Sequence, residues 1–150
     1  MTKTITTHSE AETAAIGSEL ASMLTLGSTV LLVGDLGAGK TAFVRGLAEG
    51  LGVARDQVSS PTFTLIQEYR GGRLTLLHVD LYRLNDAREI DELGLEELGE
   101  GGVVAIEWAD KLPRPVAGAI AVRIDHGEGD ARTIEIAHAP NHEQTNYSDR

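Results

Sequence analysis

Gly34-Asp35-Leu36-Gly37-Ala38-Gly39-Lys40-Thr41 matches the phosphate-binding pattern G-x-x-x-x-G-K-[ST] at every fixed position. Glycines let the backbone curl so that successive N–H groups point inward, and a helix starting here adds its positive end to the same point. Lys40 supplies a mobile cation for the β and γ phosphates, and the Thr41 hydroxyl can ligate Mg²⁺. The candidate nucleotide-binding residues are therefore Asp35, Leu36, Gly37, Ala38, Gly39, Lys40, Thr41 and Ala42, with Lys40 also serving the chemistry.

A metal in such a site needs a carboxylate at the end of a nearby strand, and two apolar runs end in one: 76–80 closes on Asp80 and 103–107 on Glu107. Asp80 ends a hairpin strand, where small GTPases place their second metal-side acid, whereas Glu107 ends the more uniformly buried-type run. The residues alone leave the choice open. Ser59-Ser60-Pro61-Thr62-Phe63-Thr64 follows the loop helix, where a nucleotide-sensing segment would sit, and the Thr62 hydroxyl suits the γ phosphate or the metal. The plainer alternative is that Pro61 opens a strand and Thr62 is a β-former.

Trp108, the single tryptophan, directly follows Glu107 and fits either packing or a contact with the site. His8, His78, His126, His138 and His142 show no ligand spacing, which argues against zinc. Asparagine occurs only at Asn85, Asn141 and Asn146, so a guanine-reading N-K-x-D is absent and adenine is the favoured base.

The elements that must position these groups are readable in outline. Ser9-Glu10-Ala11-Glu12 has capping-box spacing, and Ile16, Leu20, Met23 and Leu24 behind it predict a helix over about residues 10–25. The run 29–33 predicts a buried strand, and Phe43, Val44, Leu47, Ala48 and Leu51 with Gly52 as a stop predict the helix after the glycine loop. Runs 62–69 and 74–81 are separated only by Arg70-Gly71-Gly72-Arg73, too short for a parallel crossover, so an antiparallel hairpin is expected.

Residues 86–100 read as a helix with a strongly acidic outer face, either solvated or a docking surface for a basic patch. A second buried strand over 103–106 and a late hairpin of 119–124 with 133–137 follow, before a polar tail of about 138–150. The order α, β, loop, α, β, β, α, β, β, β describes one three-layer α/β domain over 1–150, with a mixed, mainly parallel sheet and antiparallel hairpins.

Composition narrows the function classes. At 150 residues with 0 cysteines, the chain can bury a sizeable core, and disulfide frameworks and thiolate metal sites are excluded. The formal net charge of -10 argues against gripping a phosphate backbone unaided. No run approaches the roughly 20 apolar residues of a membrane span, so the expectation is a soluble, cytoplasmic protein, monomeric when alone.

Four segments, Gly34 to Thr41, Ser60-Pro61-Thr62-Phe63-Thr64-Leu65, Asp80-Leu81-Tyr82-Arg83-Leu84 and Ile106-Glu107-Trp108, fall in the order and spacing of the bacterial TsaE (YjeE) ATPases, which the chain resembles over about residues 5–137. The resemblance implies a P-loop fold and an ATPase needed for threonylcarbamoyladenosine formation beside the anticodon of tRNAs reading codons that start with A. It implies ATP/ADP and Mg²⁺ as ligands, and TsaD and TsaB as partners whose repeated turnover the ATP cycle supports. Group transfer itself is not this family's task, and tRNA is met only through the partners.

Carried over by motif, Lys40 and the loop amides hold phosphates, Thr41 and Glu107 hold Mg²⁺, and Asp80 assists hydrolysis. Thr62 belongs to the switch segment and Trp108 sits close to the site. The family also brings its first helix and last hairpin toward the adenine, which makes Glu10 and Gly129 candidates.

No built-in arginine finger is evident, since Arg45 falls on the loop helix and Arg83 beyond Asp80; weak hydrolysis alone and stimulation by partners are expected. Two rival readings share the loop. One is a small-molecule kinase, which needs an acceptor pocket and usually an Arg-bearing lid; the other is a nucleotide-gated binding module with little hydrolysis.

Overall fold

The computed structural model describes residues 2–35, 39–53 and 66–138. Its elements run β1 (Thr2–Thr7), α1 (Glu10–Ala21), β2 (Thr29–Gly34), α2 (Lys40–Gly50), β3 (Ile66–Tyr69), β4 (Leu76–Asp80), α3 (Ala87–Asp91), α4 (Leu95–Gly99), β5 (Val103–Glu107), a 3₁₀ turn (Ala109–Lys111), β6 (Ile120–His126) and β7 (Arg132–His138).

The strands form one sheet in the order β1-β7-β6-β2-β5-β4-β3. Its centre, β6-β2-β5-β4, is parallel, and antiparallel β7, β1 and β3 extend the two sides. The expected mixed α/β sheet is present, with both hairpins. Parallel strands are buried on both faces, which explains why β2 and β5 read as continuous apolar runs.

Side chains alternate between two cores. Val30, Leu32, Leu76, Val103 and Ala105 pack with α1 and α2, whereas Leu77, Val79, Val104 and Ile106 pack with Ile90, Leu93, Leu95 and Leu98 from the α3–α4 side. Helices therefore cover both faces, and the carboxyl ends of four parallel strands meet at one edge, the place where open α/β sheets bind ligands.

Ser9 caps α1 as its spelling predicts, accepting from the Glu12 N–H at 3.1 Å, while Glu12 Oε1 accepts from the His8 N–H at 2.7 Å. That cap is worth about 1 kcal/mol. Small residues let α1 and α2 touch: a Cβ on Gly46 would lie 1.8 Å from the Ala14 carbonyl oxygen. The contact fixes the start of α1 beside the start of α2, so Glu10 and Lys40 share one region.

The structure departs from the sequence reading in three places. Thr2–Thr7 is a strand, β1, paired antiparallel with β7, where no element was expected. It is mostly exposed and threonine-rich, so apolar alternation gives no signal; only its β-branched composition does. The expected helix over 86–100 is instead two short helices, because Gly94 sits at φ 66 and serves as the left-handed N-cap of α4. The first helix ends at Ala21, four residues short of its expected end, and Leu24 is buried beyond it.

Positions 62–65 of the expected third strand and 139–150 of the expected tail lie outside the described residues. No helix among the described residues is long and apolar enough to cross a membrane.

Candidate functional site

The site is assembled where β2 gives way to α2. Gly34 and Gly39 both take positive φ, 127° and 106°, which the expected inward curl of the loop calls for. Asp35 anchors the entry to the loop: its N–H donates to the Ile124 carbonyl at 3.1 Å, and its Oδ2 accepts from the His126 N–H at 3.0 Å. Leu36, Gly37 and Ala38 lie outside the described residues, as does Thr62 with its whole segment.

Lys40 opens α2 and is 5% exposed. Its Nζ donates to the carbonyls of Gly34 at 3.1 Å and Asp35 at 3.2 Å, and it lies 5.0 Å from the centre of the Trp108 ring. Carbonyl dipoles and an aromatic face thus hold the ammonium in place of bulk water, a cation–π contact adding on the order of 0.5–2 kcal/mol.

A cavity of about 420 Å³ opens at this point, lined by Glu10, Gly39, Lys40, Thr41, Ala42, Arg45, Asp80, Tyr82, Glu107 and Trp108. Residues from four separate elements converge there: the first residue of α1, the first turn of α2, and the last residues of β4 and β5. Asp80 and Glu107 are register partners across β4 and β5, so both acids present to the same edge. Gly129, at φ 58 in the β6–β7 turn, is not among the residues lining this cavity.

Electrostatics separate the two acids. Burial pushes the Asp80 carboxyl above its ordinary 3.8, the charge of Glu107 adds to the rise, and the Tyr82 N–H, His78 and Lys40 oppose it. Asp80 Oδ1 accepts from that Tyr82 N–H at 2.9 Å. Glu107 is 5% exposed and its Oε2 lies 2.5 Å from Nε2 of the fully buried His78.

Trp108 takes φ 60, a strained value for a bulky residue, and stacks tilted against Tyr82 with ring centres 5.0 Å apart. Lys111 supports this pair by donating to the carbonyls of Tyr82 at 2.7 Å and Leu84 at 2.9 Å. Trp108 therefore does both things the sequence allowed: it packs on the α3–α4 core and lines the cavity.

Among the described residues, no three His, Cys, Asp or Glu side chains gather closely enough to hold a metal by themselves. Mg²⁺ ordinarily keeps waters and takes one or two protein ligands plus phosphate oxygens. The hydroxyl of Thr41 and the carboxylate of Glu107, lining one cavity with the Lys40 cation, are hard oxygen donors of the right kind. Chemically, the arrangement can seat a polyphosphate at the start of α2, neutralise it with Lys40 and a divalent cation, and place a partly desolvated carboxyl beside it.

Two lining residues, Arg45 and Tyr82, and one residue behind the lining, His78, were missed as site members by sequence reasoning. Arg45 is one turn along α2 from Thr41, and Tyr82 lies two residues beyond Asp80; both spacings were available as signals. His78 gave no signal, because only strand register brings it to Glu107. A second cavity, about 460 Å³, lies on the α3–α4 side between Ile90, Leu95, Val104 and Leu112 and shares no lining residue with the first.

Comparison with known proteins gives a consistent result. The family model described as Threonylcarbamoyl adenosine biosynthesis protein TsaE matches residues 7–134. The chain is 45% identical over 141 residues to the tRNA threonylcarbamoyladenosine biosynthesis protein TsaE of Nostoc sp., covering 91% of this chain and 85% of that relative. It is 50% identical over 108 residues to the protein of the same name from Bacillus subtilis, covering 69% and 66%. The crystal structure of Bacillus subtilis YdiB superposes with a TM-score of 0.74 at 33% identity, covering 99% of this chain and 97% of that one.

Proposed function

This chain belongs to the TsaE family, and from that membership we propose that it binds ATP with Mg²⁺ in the Lys40 cavity and hydrolyses it in support of tRNA threonylcarbamoyladenosine synthesis. The partners we assign are TsaD and TsaB, which meet the tRNA; a chain of net charge -10 is poorly suited to do so itself. With 0 cysteines, the protein suits the reducing cytoplasm where such a reaction would run.

One observation carries the proposal: Lys40, Thr41, Asp80 and Glu107 line a single cavity at the carboxyl edge of the parallel strands. Lys40 would exchange its Gly34 and Asp35 carbonyls for phosphate oxygens, a stronger charge-assisted contact. The N–H groups at the start of α2 add to the same field. Thr41 and Glu107 would hold Mg²⁺, which when bound supplies positive charge to the phosphate oxygens. Asp80 would orient the attacking water and accept its proton as the water oxygen bonds the γ phosphorus and the bond to the ADP oxygen breaks.

Tyr82 and Trp108 would form one wall, Glu10 the side toward the base. Arg45 lines the cavity, but a cation reaching the transferring phosphoryl is assigned to the partner complex, so hydrolysis is slow alone.

The test is ATP hydrolysis by the purified chain with and without TsaD and TsaB, with Lys40→Ala as control. Stimulation in the complex, lost in Lys40→Ala, is expected. Equal rates contradict the proposal, and tight ATP binding without hydrolysis favours a nucleotide-gated module instead.

A further inference from the structure

His78 is fully buried beside the site and belongs to neither the phosphate nor the metal set assigned so far. It lies on β4 two residues before Asp80, on the face that β4 turns toward α1 and α2, with Ala105 as its register neighbour on β5. Its Nε2 contacts Oε2 of Glu107 at 2.5 Å, while Nδ1 has no hydrogen-bond partner among the described residues.

As core packing, this is a poor solution. A buried ionic or polar pair is often no more stabilising than apolar side chains of similar volume, and a buried nitrogen without a partner adds a desolvation cost. The pair's effect is geometric. The imidazole engages one carboxylate oxygen, Oε2, which fixes the rotation of the carboxylate about its last bond and leaves Oε1 as the oxygen unclaimed by His78, in a residue that lines the cavity of Lys40 and Thr41. A carboxylate oxygen accepts, so Nε2 is the donor of this contact.

We propose that His78 is a positioning residue that holds Glu107 in the orientation needed to ligate the nucleotide-bound cation. The inference rests on the reading of the Lys40 cavity as a Mg²⁺–ATP site and adds to it a determinant of metal affinity outside the ligand set. Removing a hydrogen bond that orients a ligating side chain typically costs 10–100-fold in metal affinity, on the order of the effect expected here.

The experiment measures ATP binding to the full chain by calorimetry across a MgCl₂ series, with thermal melting as a parallel readout. His78→Leu fills the same space without a donor. It should raise the Mg²⁺ concentration at half-effect roughly tenfold or more, leave ATP binding in EDTA unchanged, and melt as a folded protein. His78→Gln restores an N–H near the place of Nε2 and should recover most of the loss.

A wild-type Mg²⁺ midpoint in His78→Leu overturns the inference, as does failure of a folded His78→Gln to recover any of the loss. If His78→Leu does not fold, His78→Gln is compared with the shorter His78→Asn: a midpoint shifted only in His78→Asn supports the role, and equal midpoints overturn it. Glu107→Gln separates the role of His78 from the metal site itself. If it shifts the midpoint and His78→Leu does not, only the role of His78 falls; if wild-type binding ignores Mg²⁺, the site reading falls with it.

Discussion

Asp80 and Glu107 are register partners at the ends of adjacent parallel strands, and both line the cavity that contains Lys40 and Thr41. Their surroundings differ in kind. Asp80 accepts from a backbone N–H and is only half-buried, whereas Glu107 is buried and held by an imidazole. A carboxylate held rigid suits a metal ligand, and a partly desolvated carboxyl beside open space suits proton transfer.

Different kinetic signatures should follow from that division. Glu107→Ala should raise the MgCl₂ requirement of ATP hydrolysis while leaving part of the maximal rate. Asp80→Asn should lower the maximal rate by about 10²-fold or more with Mg²⁺ binding retained, the range typical of a lost general base. Rates measured across a MgCl₂ series check this. The reverse pattern would exchange the two roles.

The proton affinity of Asp80 predicts a stability trend with pH. Burial holds its folded carboxyl above 3.8, so between that value and the raised one the folded chain binds the proton that the unfolded chain has released. Stability therefore falls as pH rises through this window, and the ionised form carries the penalty above it. Asp80→Asn should melt higher than wild type at neutral pH in EDTA, with the difference shrinking as the pH is lowered toward 3.8. Calorimetric melting at several pH values measures it.

At the α1–α2 crossing, Gly46→Ala should destabilise the protein. Its new Cβ would meet the Ala14 carbonyl oxygen at 1.8 Å, a backbone atom that cannot rotate away. Forced separation of the helices should cost about 1–3 kcal/mol or more, read as a lower urea midpoint at unchanged slope. Because the crossing also sets Glu10 against the start of α2, ATP affinity should weaken in the same variant.

How much of this was legible in the sequence depends on the physics behind each feature. The glycine loop, Asp80 and Glu107 were readable because phosphate and metal chemistry demands particular residue types at strand ends, where apolar runs stop abruptly. The parallel centre and both hairpins followed from run composition and connection length. β1 escaped because an exposed edge strand needs no apolar alternation, and the break at Gly94 was masked by acidic residues that continue the helical pattern on both sides. His78 could not be singled out: its partner is 29 residues away, and only the parallel register of β4 with β5 brings the two together.

Under the proposed function, this chain's ATP cycle sustains threonylcarbamoyladenosine synthesis by its partners. The direct measurement is reconstitution of the chain with TsaD, TsaB, tRNA and the threonylcarbamoyl donor, comparing wild type with Lys40→Ala and counting modified adenosines per TsaD. Wild type should sustain many turnovers and Lys40→Ala about one or fewer, as expected when a phosphate-binding cation is lost. Equal, repeated turnover with Lys40→Ala, or with this chain left out, would contradict it.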